Sequence, residues 1–318
     1  MLRPSTIILL LIGCPVALAS QGVSVSGRVL RGGGDTVPLA NAWVVLHKVT
    51  RESGQPIDSA RSDARGRYRI LLRRPDSTSV YVISAWYDSL AYFSLPLNVL
   101  GRAAVHVEDI MTFATSVSGP PLRLARRLAT VAHAREDGTR EVLEILEIEN
   151  PGVTTRITKD TLTPTWAGRV PQGAGQFRGG QGDISPEAMV FRNDSIYVLG
   201  PIPPGPVKQL SYGYALPAGT RTLTMPIDQP TTELNLLVED TAAAVRAPQL
   251  ETLGVEEIES RRFAAYRAGP LAAGDRVEID LPSTGFRAGT LLPYVIAVLA
   301  AGMVVALVWA LRKRPSAA

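Results

Sequence analysis

Three histidines, His47, His106 and His133, and a scatter of carboxylates are the side chains with which this 318-residue sequence could do chemistry. His133-Ala134-Arg135-Glu136 has the His-x-x-Glu spacing of two zinc ligands, the opening half of a hydrolase metal site. Zinc catalysis needs three protein ligands and an open position. No histidine follows His133, and the surrounding AHAREDGT reads as a solvated turn, so the spacing is taken as a chance match. His47 stands in an apolar run with Trp43 and Val45, where a paired structural histidine is expected. His106 flanks Glu108 and Asp109, with no second ligand group apparent. Asp58, Asp63 and Asp76 lack the one-three-five spacing of a calcium loop and read as turn residues. The stretch GAGQFRGGQGD invites a phosphate-loop reading, but it lacks Gly-Lys-Ser/Thr and opens no helix; a mobile surface loop is expected. Beside it, Asp183 and Glu187 are the carboxylates that a hydrolase or a sugar-binding enzyme would use. No Gly-x-Ser-x-Gly elbow is present. Asn193-Asp194-Ser195 has the form of a glycosylation sequon, without consequence in a bacterial envelope. No residue is assigned to catalysis, to a cofactor or to a metal.

The ends of the chain say where such residues would work. Arg3, the apolar run Ile7 to Ile12 and the small-x-small triplet Ala17-Leu18-Ala19 read as a signal peptide over 1–19, cut after Ala19. Leu11-Ile12-Gly13-Cys14 offers a rival, a lipobox with Cys14 as the lipidated N-terminus. At the other end, Leu291 to Leu311 carries no charge. As a helix rising about 1.5 Å per residue it covers the roughly 30 Å hydrocarbon layer. A transmembrane helix is therefore expected over 290–311. Arg312-Lys313-Arg314 marks 312–318 as the cytoplasmic tail, with Tyr294 and Trp309 near the two interfaces. This gives a single-pass type I membrane protein, with the bulk of the chain periplasmic or extracellular.

The formal net charge of +4 is accounted for by Arg3 and the three cations of the tail. Residues 20–289 are thus neutral, which argues against nucleic acid as a partner. The only cysteine is Cys14, in the leader, so the exported part has neither disulfides nor a thiol nucleophile. About 270 exported residues suffice for two cores of ordinary domain size.

What must position the candidate residues is a set of strands. VSVSGRVL alternates strictly, with Val23, Val25, Gly27 and Val29 on one face. WVVLHKV is apolar on both faces and suits a central strand. YRILLRR puts Tyr68, Ile70 and Leu72 inward and Arg69, Leu71 and Arg73 outward. SVYVISAWY and AAVHVEDIMTF complete the set, and turn-rich segments separate the runs. In SDARGRYRI, Asp63 can accept backbone N–H bonds and Gly66 can take the positive φ that ends the turn. SGRVL, PLANAWVVL and SDARGRYRI together resemble the carboxypeptidase regulatory-like domain, a transthyretin-like β-sandwich. The matching positions are Gly27 and Val29; Pro38, Leu39, Ala42, Val44 and Leu46; Asp63, Gly66 and Tyr68. The resemblance implies a sandwich over 20–112. Such domains accompany a zinc peptidase, a receptor barrel or a surface array, and carry no chemistry themselves. The same fold hosts a ring-opening hydrolase of purine catabolism, but its C-terminal Tyr-Arg-Gly-Ser is missing; Tyr266-Arg267-Ala268-Gly269 is internal.

A linker is expected at 113–123, within SVSGPPLRLARR. A second β-rich, Ig-like module follows at 124–289, built from EVLEILEIENPG, SIYVLGPIPPGPVKQLSYGYALPAG, TLTMPI, TELNLLVED and RVEIDLP. Its Asn-Pro-Gly, Pro-Ile-Pro-Pro-Gly and Tyr-x-Tyr-x-Leu-Pro stretches are similar to ones in membrane-anchored bacterial proteins and imply no activity. ETLGVEEIESRRFAAY is expected to form one short helix. The fold class is all-β: two antiparallel sandwich modules, transthyretin-like and Ig-like, then one transmembrane helix. The expected function is non-catalytic binding or scaffolding in the envelope, with the membrane and a protein or glycan as partners. A carboxylate-dependent hydrolase or carbohydrate-active protein is the first alternative; a membrane sensor or transport-complex subunit is the second.

Overall fold

A computed structural model describes residues 22–51, 53–160 and 162–282. The expected leader (1–19, with Cys14), span (290–311) and tail (312–318) lie outside the described residues. Within them the regular structure is 24 strands and one short 3-10 turn, Pro186–Ala188; the chain is all-β. No helix among the described residues is long and apolar enough to cross a membrane. The chain divides into two compact units. One runs up to Ser116 and includes Gly152–Thr155; the other comprises Val117–Pro151 and the residues from Arg156 onward.

The first unit contains β1 (Val23–Arg31), β2 (Val37–Pro38), β3 (Trp43–Val49), β4 (Gly54–Arg61), β5 (Arg67–Leu72), β6 (Val80–Tyr87), β7 (Leu90–Phe93), β8 (Ala104–His106), β9 (Ile110–Thr112) and β10 (Thr115–Ser116). One sheet is centred on β1, which pairs antiparallel with β2 and β5 and parallel with β8 and β9. The other has the order β4-β3-β6-β7. The two sheets share a sandwich-like core. β1 gives it Val23, Val25 and Val29, β3 gives Val44 and Leu46, β5 gives Tyr68, Ile70 and Leu72, and β6 gives Tyr81, Ile83 and Ala85. The alternation in β1 and β5 is the alternation of the pleat.

The turn into β5 follows from Asp63. Its Oδ1 accepts the N–H groups of Arg65 and Arg67, both at 2.8 Å, and these bonds hold the carboxyl below its usual range. Gly66 closes the turn at φ +72°, where an added Cβ would lie 2.4 Å from the carbonyl oxygen of Val29. Gly27 is required for a different reason: a Cβ there would lie 2.7 Å from the Tyr68 hydroxyl, which is buried and has no hydrogen-bond partner among the described residues.

The second unit continues with β11 (Arg123–Val131), β12 (Arg140–Glu149), β13 (Thr155–Arg156), β14 (Trp166–Arg169), β15 (Gly175–Gly179), β16 (Met189–Arg192), β17 (Ser195–Val198), β18 (Lys208–Leu216), β19 (Thr222–Pro226), β20 (Thr231–Val238), β21 (Ala244–Arg246), β22 (Glu251–Ile258), β23 (Arg261–Ala268) and β24 (Arg276–Asp280). A seven-stranded sheet, β15-β18-β12-β11-β20-β23-β22, shares one core with two three-stranded sheets, β14-β17-β16 and β19-β24-β21.

Three expectations are corrected here. The sheets are not wholly antiparallel: β1 runs parallel to β8 and β9, and β11 parallel to β20 from Leu124↔Thr231 to Val131↔Val238. These partners are far apart in sequence, and only neighbours joined by a tight turn must run antiparallel. Glu251 to Tyr266 is not a helix but the β22–β23 hairpin. Glu259 and Ser260, at φ 51° and 63°, make its two-residue turn, and Gly254 at φ 105° sits at a bulge. Paired strands place Glu251 opposite Arg267 and Glu257 opposite Arg262; a helix would have held Gly254 in its interior and crowded Glu256 and Glu259. The glycine-rich stretch contains β15, an edge strand anchored by Phe177, which stacks on Phe191 at 5.1 Å and meets Tyr212 at 5.9 Å. The boundary between the two units, at Ser116 and Val117, falls within the stretch read as linker, whose last residue, Arg123, opens β11 in the middle of the large sheet.

Candidate functional site

The outward face of the β4-β3-β6-β7 sheet in the first unit is apolar where a half-solvated antiparallel sheet is ordinarily polar. β3 presents Trp43, Val45 and His47 there; β6 presents Val82, Ser84 and Trp86; β7 presents Phe93. The register sets Trp43 against Trp86, Val45 against Ser84, His47 against Val82 and Ser84 against Phe93. The Trp43 and Trp86 ring centroids are 6.0 Å apart, and the two residues remain 45% and 40% exposed. Phe93 is 62% exposed, and Leu95, two residues further, 74%. His47 fills the middle of the face. Its Nε2 lies 2.8 Å from Ser84 Oγ, its ring centroid lies 5.9 Å from that of Phe93, and Ser84 is fully buried beneath. Burial pushes the His47 pKa down, so the face stays uncharged at neutral pH. The edge strand β4 supplies a polar rim: Ser59 stands opposite Val45, and Arg61 opposite Trp43. Arg61 Nη1 donates to the carbonyl of Asn41 at 2.9 Å, which leaves the rest of its guanidinium free. An aromatic surface with a polar margin can hold a partner by contact and stacking; the hydroxyl paired with His47, Ser84 Oγ, is buried beneath it.

The second unit hides its polar groups. Glu144 is fully buried on β12, in phase with Val142, Leu146 and Ile148. It accepts from Arg127 Nε at 2.7 Å, Tyr214 Oη at 2.9 Å and Tyr212 Oη at 3.1 Å, while Arg127 Nη1 donates to the carbonyl of Pro226 at 2.8 Å. Every member is satisfied, as a buried ion pair requires. Desolvation is the largest influence on all three neighbours of Glu144. It raises Tyr212 and Tyr214 well above the usual phenol range, and for Arg127 the adjacent carboxylate more than offsets it. A second cluster joins buried Arg140 to Asp240, to the carbonyl of Pro282 at 3.1 Å and, through Asp240, to Nδ1 of His133. Both clusters brace strands.

No family model matches the sequence, and no curated protein matches it. Among solved structures the chain is similar to a 9R-lipoxygenase from Cyanothece PCC8801, at 10% identity over 34% of this chain and 18% of that one, with a TM-score of 0.23. It is similar to an M1 zinc metallopeptidase from Deinococcus radiodurans at 12% identity, over 53% and 49% of the two chains, with a TM-score of 0.33. It is also similar to the Corynebacterium diphtheriae major pilin SpaA at 11% identity, over 81% and 86%, with a TM-score of 0.21. The chain thus spans half or less of the first two proteins. Likenesses of this size assign neither a family nor an activity.

The residues singled out in the sequence do not converge. His133 is engaged with Asp240, and its N–H donates to Glu239 at 2.6 Å; Glu136 is exposed in the turn after β11. His106 is exposed on β8, and Asp109 beside it pairs with Arg28. Asp58 is not a turn residue but lies within β4, where it accepts the N–H of Ser59; Asp76 does serve a turn, taking the N–H of Thr78, and it also pairs with the Lys48 ammonium at 2.7 Å. Asp183 accepts the N–H of Gln209 at 2.9 Å, and Glu187 accepts from the Ser185 hydroxyl. Asn193 and Asp194, at φ 50° and 52°, form the two-residue turn between β16 and β17. Tyr266 donates to the carbonyl of Ala243 at 3.3 Å, and Arg267 lies 3.9 Å from both Glu233 and Glu251. Among the described residues no group of three His, Cys, Asp or Glu side chains has metal-holding geometry.

Proposed function

We propose that this chain is a non-catalytic binding or scaffolding protein of the bacterial envelope. In this reading the first unit is a transthyretin-like module of the carboxypeptidase regulatory-like kind, and the second an Ig-like one. The leader 1–19 exports them, and the helix 290–311 holds them at the membrane with 312–318 inside. One observation carries the binding role: the exposed Trp43–Trp86 pair with Phe93 and Leu95 on an outward sheet face. Contiguous apolar surface of this kind marks interaction sites, and aromatic side chains dominate the energetics of such sites.

The test is site-specific photo-crosslinking in cells. A photoreactive amino acid at position 43 is expected to give a discrete adduct with an envelope component. The same group at Leu71, exposed on the other sheet, is expected to give none. Equal labelling from both positions, or none from either, removes the binding face. Hydrolytic turnover by the purified chain, abolished by Asp183→Asn or Glu187→Gln, establishes the enzyme reading instead.

A further inference from the structure

We propose that the outward face of the first unit takes a glycan, specifically a flat β-linked chain of hexose or N-acetylhexosamine units, whose pyranose faces lie on Trp43 and Trp86. The inference rests on the binding reading above and names its ligand class. The size of the face favours a small occupant. Trp43, Ile57, Val80, Trp86 and Phe93 of this sheet, at 45%, 41%, 46%, 40% and 62% exposed, offer with Leu95 just beyond β7 on the order of 700 Å². A standard protein interface takes about 800 Å² from each partner, and a stable homodimer more.

The composition decides among small occupants. The centre of the face is aromatic rather than aliphatic, and Trp43, Val45, His47, Val82, Ser84, Trp86 and Phe93 carry no formal charge with His47 neutral. The rings themselves offer an ionic ligand no counter-charge, and the charge beside them is the single Arg61 guanidinium on the rim. A pyranose has one face of C–H bonds, suited to an indole, and an equator of hydroxyls. The hydroxyls meet the rim on β4, where Arg61 retains free N–H donors and the Ser59 hydroxyl has no partner among the described residues. Rim and rings share one outward face because Trp43 is registered against Arg61 on one side and Trp86 on the other. The two indoles lie side by side, 6.0 Å apart and tilted by 32°, so successive units of one extended strand can rest on them in turn where a single sugar meets only one.

The experiment uses the full chain in detergent with three probes: chitohexaose, cellohexaose and purified peptidoglycan sacculi. Binding is followed by tryptophan fluorescence for the oligosaccharides and by co-sedimentation for the sacculi. At least one probe is expected to bind, with Trp43→Ala and Trp86→Ala each weakening it about tenfold. Leu71→Ser, on the other sheet, is expected to leave it unchanged. Far-ultraviolet dichroism checks that the alanine variants keep their strands. No binding of any probe, or binding that survives Trp43→Ala with Trp86→Ala together, overturns the glycan assignment. The crosslinking result separates the two failures. A protein adduct at position 43 with no glycan bound refutes the ligand class and keeps the binding role, whereas no adduct and no glycan refutes both.

Discussion

Replacing Glu144 by Gln tests whether the second unit is organised around its buried charges. The side chains of Arg127 and Glu144 are 5% and 0% exposed, and three donated bonds and the Arg127 Nη2 ion-pair contact converge on the two carboxylate oxygens. The amide keeps the shape, removes the charge and turns an N–H group toward donors. Removing one partner of a buried ion pair costs about 3–5 kcal/mol, because the other charge is left uncompensated in a medium that solvates it poorly. Two tyrosine hydroxyls lose acceptor strength at the same time. Amide hydrogen exchange by mass spectrometry is the assay of choice, since it reads β11, β12 and β18 separately from the strands of the first unit. Protection in those three strands is expected to fall by two to three orders of magnitude, at about 1.4 kcal/mol per factor of ten. The first unit serves as the internal control. The combined change Arg127→Met, Glu144→Leu, Tyr212→Phe and Tyr214→Phe removes every polar atom of the side-chain network and is expected to cost less than Glu144→Gln alone. A loss below about 1 kcal/mol in the single variant, or a greater loss in the combined one, would refute the reasoning.

Tyr68, Tyr212 and Tyr214 are all raised by burial above the usual phenol value near 10. Their folded forms hold protons that the unfolded chain releases, so stability is full below pH 10 and falls above it. Phenolate absorbance at 295 nm should therefore rise in two steps, the second coinciding with loss of the β dichroism; a single step near pH 10 with the fold intact contradicts this. Tyr68→Phe removes a buried hydroxyl that has no partner among the described residues and is expected to leave the first unit unchanged or stabilise it by up to about 1 kcal/mol in urea unfolding. Gly27→Ala, which sets a Cβ 2.7 Å from that hydroxyl, is expected to cost about 1–3 kcal/mol alone and clearly less in the Tyr68→Phe background, in the same measurement. At the membrane, the chain is expected to stay with the pellet in carbonate, and truncation before Leu291 to release it; extraction of the full chain by carbonate rules out the span.

Much of the first unit was legible because its signals are local. The pleat of β1 and β5, and the turn set by Asp63 and Gly66, involve residues within a few positions of each other. The aromatic face was half legible. WVVLHKV reads as apolar on both sides, which suits a central strand, and β3 does lie between β4 and β6. That its outer side stays exposed depends on what covers the sheet, which no strand pattern contains. Glu144 stood in phase with Val142 and Leu146, so its inward orientation was available to a strict reading of alternation. Its partner Arg127 was not, because the bulge between Leu124 and Arg126 shifts the register and the stretch resembles a linker. The β22–β23 hairpin was missed because its glycine and its acidic pairs have a meaning only across strands, while a helix reading weighs neighbours along the chain.

Arg140, the first residue of β12, is locked by Asp240 and holds the carbonyl of Pro282, the last described residue. Tension applied to the chain beyond that point is therefore shared between β24, which Leu281 continues through its bond to the carbonyl of Arg221, and the end of β12, a mid-sheet strand hydrogen-bonded to β11 and β18. The end of the second unit is thus moored to two sheets at once, and a pull on it must work against both.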